Sequence, residues 1–240
     1  MRAAGRVVAA VLRRMREHAA PGVTTMELDR IASETVAQLG ARAAFLGYDV
    51  GHGPYPASIC ASVNDTVVHG IPCDRALQEG DILSIDFGAH KGGVFADAAI
   101  TIAVGRIPEE SQRLLAVTQE ALGRGVEAAR VGNSIADVSW AIQDYVESQG
   151  YSLADNLYGH GIGRRLHEPP NVPNIVLPGK GATINAGVGL AIEPMVNVGR
   201  PATRTLADGW AVVTADGSRS AHFEHTVLVG PNGPEIMTVE

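Results

Sequence analysis

The chain has 240 residues, 45% apolar and 19% charged, with a formal net charge of −7. That length can bury a sizeable core. The acidic balance, with no basic patch carrying interleaved aromatics, argues against a phosphate-backbone partner and against nucleic-acid recognition. No apolar run reaches the roughly 18–20 residues of a membrane span. The two cysteines, Cys60 and Cys73, lack metal-ligand spacing and fit a reducing compartment, so a cytoplasmic location is expected.

The opening MRAAGRVVAAVLRRMREHAAPG is Arg-rich and almost free of acids, as transit peptides are. Val7, Val8, Val11, Leu12 and Met15 nevertheless fall at helical spacing, and Arg13, Arg14 and Arg16 interrupt any secretory apolar core. A structural first helix ending at Pro21-Gly22 is therefore expected. Thr24 and Glu27 form a capping box that opens a second helix to about Leu39. FLGYDVGHGPYPA (45–57) reads as a Gly/Pro/aromatic loop. Strands follow near 57–63, 66–69, 82–90 and 93–104. Pro108-Glu109-Glu110 starts a helix to about Ala129, and Ser134 caps another to about Gln149. Gly-rich strands and turns come last, near 157–162, 188–197, 210–214 and 222–229. The order helices, strands, helices, strands predicts an α+β fold with a two-fold repeat visible in element order, though not in residues. With no linker between the halves, a single domain over 1–240 is expected.

The stretch SIDFGAHKGGVFADAAITI (84–102) places one acid in each of two neighbouring strands. If Lys91-Gly92 is the hairpin turn, Asp86 and Asp97 oppose each other directly, with Cβ atoms roughly 4.5–5.5 Å apart. If Gly92-Gly93 is the turn, they are diagonal neighbours on one face. Like charges so placed are destabilising and require a proton, a cation or another register.

Further polar residues interrupt apolar segments. GLAIEPMV holds Glu193, AHFEHTVLV holds Glu224, and YGHGIGRRLHEPP holds His160 and His167. With Gly163-Arg164 as a two-residue turn, His160 would face His167. Singly, such an acid usually lies on a solvent face or beside an Arg. Together, four acids in apolar strands with few basic neighbours cannot all be buried ionised without large cost. Two divalent cations would neutralise four carboxylates, and carboxylates and imidazole suit Mn, Fe, Co or Zn-like ions over thiolate-loving ones.

Competing motifs fail. Asp86-Phe87-Gly88 lacks the phosphate loop and catalytic loop of a kinase. HEPPN and HFEH are not His-Glu-x-x-His, and GHGIGR follows no βαβ unit.

Five segments in order, SVNDTVVHGIP, the Asp86–Asp97 pair, YGHGIGRRLHEPP, AIEPMVNVG and SAHFEHTVLV, resemble those of type I methionine aminopeptidases, and the likeness runs over nearly the whole chain. The resemblance implies the pita-bread fold, with pseudo-two-fold halves and a curved antiparallel sheet covered by helices. It implies two divalent metal ions (Co, Mn, Fe or Zn) on Asp86, Asp97, His160, Glu193 and Glu224. Catalytic roles carry over to His69, His167 and Glu193. By the same likeness Glu193 would be the general base for water activated between the cations, His167 would stabilise the carbonyl oxygen, and His69 would contact the scissile amide. The methionine pocket would include Tyr55, Cys60, Leu166 and Trp210. Methionyl peptides and nascent chains with a small second residue are the implied substrates, for a monomer in transient contact with ribosomes.

The short His167–Glu193 spacing leaves no room for the type II insertion. Neither the extra N-terminal domain of prolidases nor a zinc-finger extension is expected. Ala98, where a hydroxyl residue is usual, implies weaker support of Asp97. Leu166, where Phe is common, implies a roomier pocket. An aminopeptidase of other specificity and a non-catalytic pita-bread binding protein are the alternatives.

Overall fold

A computed structural model of the chain describes residues 1–51 and 53–239; His52, in the expected Gly/Pro loop, lies outside the described residues. The first half opens with helices α1 (Arg2–His18) and α2 (Thr25–Gln38), followed by the short β1 (Arg42–Ala43). Strands β2 (Cys60–Val63), β3 (Thr66–Val68), β4 (Ile82–Lys91) and β5 (Val94–Ala103) complete it. The second half opens with α3 (Glu109–Ala128), α4 (Ile135–Ser148) and the short β6 (Ser152–Leu153). Then come β7 (Tyr158–Gly161), β8 (Glu168–Pro173), β9 (Gly189–Ile192) and β10 (Met195–Asn197). The last are β11 (Thr203–Thr205), β12 (Val212–Thr214), β13 (Ser220–His222), β14 (His225–Gly230) and β15 (Gly233–Ile236).

The halves repeat each other in local conformation. Thr24 caps α2 in a reciprocal box: its N–H donates to Glu27 (2.7 Å) and its Oγ1 accepts from the Glu27 N–H (3.1 Å). Ser134 and Asp137 form the matching box at α4, which like α2 has 14 residues. Gly22 and Gly132 precede the two caps, and Gly40 and Gly150 follow the two helices, all at positive φ. The N–H of Gly22 donates to the Leu77 carbonyl (2.8 Å) and that of Gly132 to the Ile184 carbonyl (3.0 Å). Each capped helix is thus pinned to the chain entering the long strands of its own half.

All strand pairings are antiparallel. The β4–β5 ladder runs unbroken from Ile82–Ala103 to Lys91–Val94, so Gly92-Gly93 is the turn, both residues at positive φ as a two-residue hairpin turn of this kind needs. Asp86 therefore faces Ala99, Asp97 faces Gly88, and the two acids are diagonal. Alternation sends Ile85, Phe87, Ala96 and Ala98 into a core with Val8, Val11, Met15 and Leu28 beneath α1 and α2. Asp86 and Asp97 point the other way. A second core of Leu114, Ile142, Leu190, Ile192 and Val227 lies beneath α3 and α4.

Two expected strands are each split. Residues 188–197 become β9 and β10, and 222–229 become the end of β13 and β14. Ile192–His225 and Met195–His222 pair on either side of the gap in one continuous register. That register would set Glu193 directly opposite Glu224 and Pro194 opposite Phe223. Like charges opposed and a proline without an N–H open the ladder there.

The expected His160–His167 pairing is not formed: His160 pairs with Asn171, and a bulge separates it from the Gly161–Glu168 pair, so a loop longer than a two-residue turn intervenes. Strand β8, EPPNVP, is not among the expected strands; its prolines are tolerated because it is the edge of the sheet β15-β14-β9-β7-β8.

Gly5 brings α1 against the C-terminal segment so closely that a Cβ would overlap the Met237 carbonyl oxygen. Gly5→Ala should destabilise the protein by about 1–3 kcal/mol, the usual range for overpacking, measured by urea unfolding; an unchanged midpoint would show that the contact yields freely.

Candidate metal centre

The two halves meet where β5 lies beside residues 222–226. Ala99 and Glu224 exchange backbone hydrogen bonds (2.9 and 3.4 Å), the Asp97 N–H donates to Thr226 Oγ1 (2.8 Å), and the Thr226 hydroxyl returns a bond to the Asp97 carbonyl (2.8 Å). This seam brings the hairpin acids to the gap that holds Glu193 and Glu224. Asp97, Glu224 and His160 are 3%, 2% and 6% exposed, and one donor atom from each lies within 4.8 Å of the others. Glu193 Oε1 is 3.7 Å from His160 Nε2. All five expected ligands line one cavity of about 330 Å³.

Among the described residues no Lys or Arg lines the cavity. Asp86 Oδ1, Asp97 Oδ1 and Glu224 Oε1 are buried without a hydrogen-bond donor. Burial, then repulsion from Asp97 and Glu193, pushes the Asp86 carboxyl well above its ordinary range. Burial and Glu193 raise Asp97 to about 7, and burial raises Glu193 to about 8. Burial followed by Asp97, Glu193 and Asp86 pushes Glu224 well up. When ionised, these four carboxylates offer acceptor oxygens only, and beside an imidazole they fit a site for hard divalent cations. His160 is prepared in the same way: its Nδ1 donates to the Gly161 carbonyl (2.9 Å), which leaves the Nε2 lone pair facing the carboxylates. Burial holds this ring neutral by lowering it to about 4.

The remaining expected site residues surround this cluster, with one departure. His69 lines the cavity with a positive φ of 59°, a strained backbone for a residue with a side chain. Trp210 stands edge-on to Tyr55 (5.1 Å between centroids) and to His69 (6.4 Å). Cys60, paired with Asp86 across β2 and β4, is buried and kept as a neutral thiol by burial and by Asp86. His167 lies at the mouth, its ring 4.1 Å from that of His160 despite the absence of strand pairing. Leu166 does not line the cavity but packs behind it with Phe45, Tyr55 and Cys60. Ala98, expected to weaken the support of Asp97, is buried on the helix side of its strand, and the backbone of Asp97 is held by Thr226 instead.

Two neighbours escaped the sequence reading. Tyr48 hydrogen-bonds His167 Nδ1 through its hydroxyl (2.7 Å); nothing in an irregular loop signals that contact. His222, 1% exposed, sets its Nε2 3.5 Å from Glu193 Oε2. Its place two residues before Glu224 was the available clue.

The sequence pattern of metallopeptidase family M24 matches residues 1–231. The chain belongs to metallopeptidase family M24. Within it, the chain is 49% identical to a methionine aminopeptidase of Clostridium perfringens, over all of this chain and 94% of that one. It is 47% identical to methionine aminopeptidase 1 of Mycobacterium tuberculosis, over all of this chain and 91% of that one. A crystal structure of methionine aminopeptidase from Thermotoga maritima superposes with a TM-score of 0.96 at 43% identity, over all of this chain and 95% of that chain. The fold is therefore the pita-bread fold of these M24 enzymes. Prolidase from Pyrococcus furiosus shares the fold alone, with a TM-score of 0.80 at 21% identity and 62% of its length covered.

The raised carboxyls make the stability of the metal-free M24 site depend on pH. In the folded protein these groups keep protons that the unfolded chain releases above about pH 4, so stability falls as pH rises through their folded values. His160 and His222, lowered to about 4 and about 3, oppose this only below about pH 6.5, where unfolded histidines are charged. The Tm of metal-stripped protein should therefore drop between about pH 6.5 and 8, and Mn²⁺ should raise Tm most at the upper end. A Tm that climbs over this interval without metal would contradict the burial of ionisable acids described above.

Proposed function

We propose that this chain removes the N-terminal methionine from peptides and nascent proteins whose second residue is small. The observation that carries the reading is the complete set of four carboxylates and one imidazole, converging in a chain nearly half identical to named methionine aminopeptidases. Asp86, Asp97, His160, Glu193 and Glu224 would hold two divalent cations of the Mn, Fe, Co or Zn kind. When bound, the cations supply Lewis acidity, which brings the pKa of water toward neutrality and polarises a carbonyl.

The chain's own groups do the rest. Glu193, raised to about 8 by burial in the free protein, is a carboxyl able to take a proton from water and return it to the leaving amine. His167 at the mouth donates to the carbonyl oxygen as negative charge develops there, and His69 contacts the scissile amide. Tyr55, Cys60 and Trp210, backed by Leu166, form an apolar and aromatic recess suited to a thioether side chain. Neither half holds a complete site, so residues 1–240 act as one domain; a monomeric state is part of the same proposal. The setting is the cytoplasm, with transient contact to ribosomes; among the described residues no helix is long and apolar enough to cross a membrane.

Metal-stripped protein should release methionine from a Met-Gly-led peptide only after Mn²⁺ or Co²⁺ is added, and should leave a Met-Leu-led peptide intact. Asp97→Ala should abolish the metal-restored release, and His167→Ala should lower kcat about 100-fold. Release from neither peptide under any metal would leave a non-catalytic binding protein. A second reading, another N-terminal specificity, is favoured by Leu166 packed behind the pocket wall; preference for leading Leu or Pro over Met in a peptide panel would establish it.

A further inference from the structure

The seam that joins the halves carries a buried polar group with no assigned task. His222 ends β13, one residue before the gap. Its backbone is held on both sides by a single side chain: the N–H donates to Thr101 Oγ1 (2.9 Å), and the Thr101 hydroxyl donates to its carbonyl (2.8 Å). The imidazole is 1% exposed, does not line the cavity, and its Nε2 has no hydrogen-bond partner. That nitrogen faces Glu193 Oε2 at 3.5 Å, while Glu193 Oε1 faces His160 Nε2. Once Glu193 is ionised, as a metal ligand must be, a lone pair on His222 Nε2 would be repelled by Oε2, so in that state Nε2 is the nitrogen that carries hydrogen. An apolar side chain would fill this place without burying an unpaired donor.

We propose that His222 is a positioning residue for Glu193: its Nε2, 3.5 Å from Oε2 behind the cavity wall, is placed to donate to that oxygen when the carboxylate is ionised, so that Oε1 is presented to a cation. The proposal rests on the reading of Glu193 as a metal ligand. His222 touches neither substrate nor cavity and acts only through that carboxylate. Strand alternation cannot turn Glu193 by itself, because the ladder is open at this residue. Asn174 caps the Glu193 carbonyl (3.0 Å) and fixes the backbone, which leaves the side chain to be set from elsewhere. Groups that hydrogen-bond a metal ligand from outside raise affinity by fixing its orientation.

The test is calorimetric titration of Mn²⁺ into metal-stripped wild type, His222→Leu, His222→Gln and Glu193→Gln, with thermal unfolding of each. His222→Leu should bind the tighter-held Mn²⁺ about 10–100-fold more weakly at similar Tm, and His222→Gln, which keeps an N–H donor, should recover most of the loss. If His222→Leu does not fold, His222→Asn, too short to reach Glu193, reads out the same loss. Wild-type affinity in His222→Leu or His222→Asn overturns the proposal. Equal weakening in His222→Leu and His222→Gln also overturns it, since the role is then packing. Should Glu193→Gln bind Mn²⁺ as wild type does, it is the ligand reading beneath the proposal that has failed, and this result is separate from either outcome at His222.

Discussion

Four carboxylates share one buried space, and almost every feature of this protein answers to their mutual repulsion. Asp97 and Glu193 raise the cost of ionising Asp86, Glu193 that of Asp97, and all three that of Glu224, while among the described residues no Lys or Arg lines the cavity to relieve them. A fold keeps such a cluster only if the rest of the structure holds it in place when it is charged. Each half does so with a helix-covered core on one face of its long strands, while the acids occupy the opposite face. The apolar face is the source of stability, and the acidic face draws on it.

The halves must also be held to each other, because neither contains the whole cluster. Three successive contacts along β5 do this. Asp97 is joined to Thr226, Ala99 to Glu224, and Thr101 to His222, each by a reciprocal pair of hydrogen bonds. Glu224, released from its own sheet at the gap, thus satisfies its backbone on the other half. The break in one ladder becomes the joint between two.

Much of this was legible in the sequence, for identifiable reasons. The capping box at Thr24, the cap at Ser134 and a hairpin turn within Lys91-Gly92-Gly93 are local signals, and local signals survive without knowledge of the fold, although only the structure chose Gly92-Gly93 over Lys91-Gly92. Acids inside apolar strands stood out because burying them unpaired is costly, and all of them reached the cavity. What failed depended on tertiary context. Whether His160 pairs with His167 was decided by a bulge and an edge strand of prolines, and the two rings meet by loop folding instead. The two-fold repeat, invisible residue by residue, is plain in conformation because caps and turn glycines recur while the residues between them differ.

The interrupted strands show why function and regularity part company at this site. An unbroken ladder through 189–197 and 220–228 would oppose Glu193 to Glu224 and fix both side chains by alternation, at the spacing the sheet dictates. Pro194 removes a donor from that ladder, and the opposed charges weaken what is left. Freed from the pleat, the two glutamates take positions set by specific neighbours: Asn174 on the Glu193 carbonyl, Ala99 on the Glu224 backbone. On the other side of the seam the hairpin keeps its full ladder, and the acids there are offset diagonally, so regular pairing does not force them together. One half supplies carboxylates on a rigid strand pair and the other supplies them from a break in the ladder. That asymmetry within a two-fold fold lets side chains of two lengths, Asp and Glu, converge on the same point.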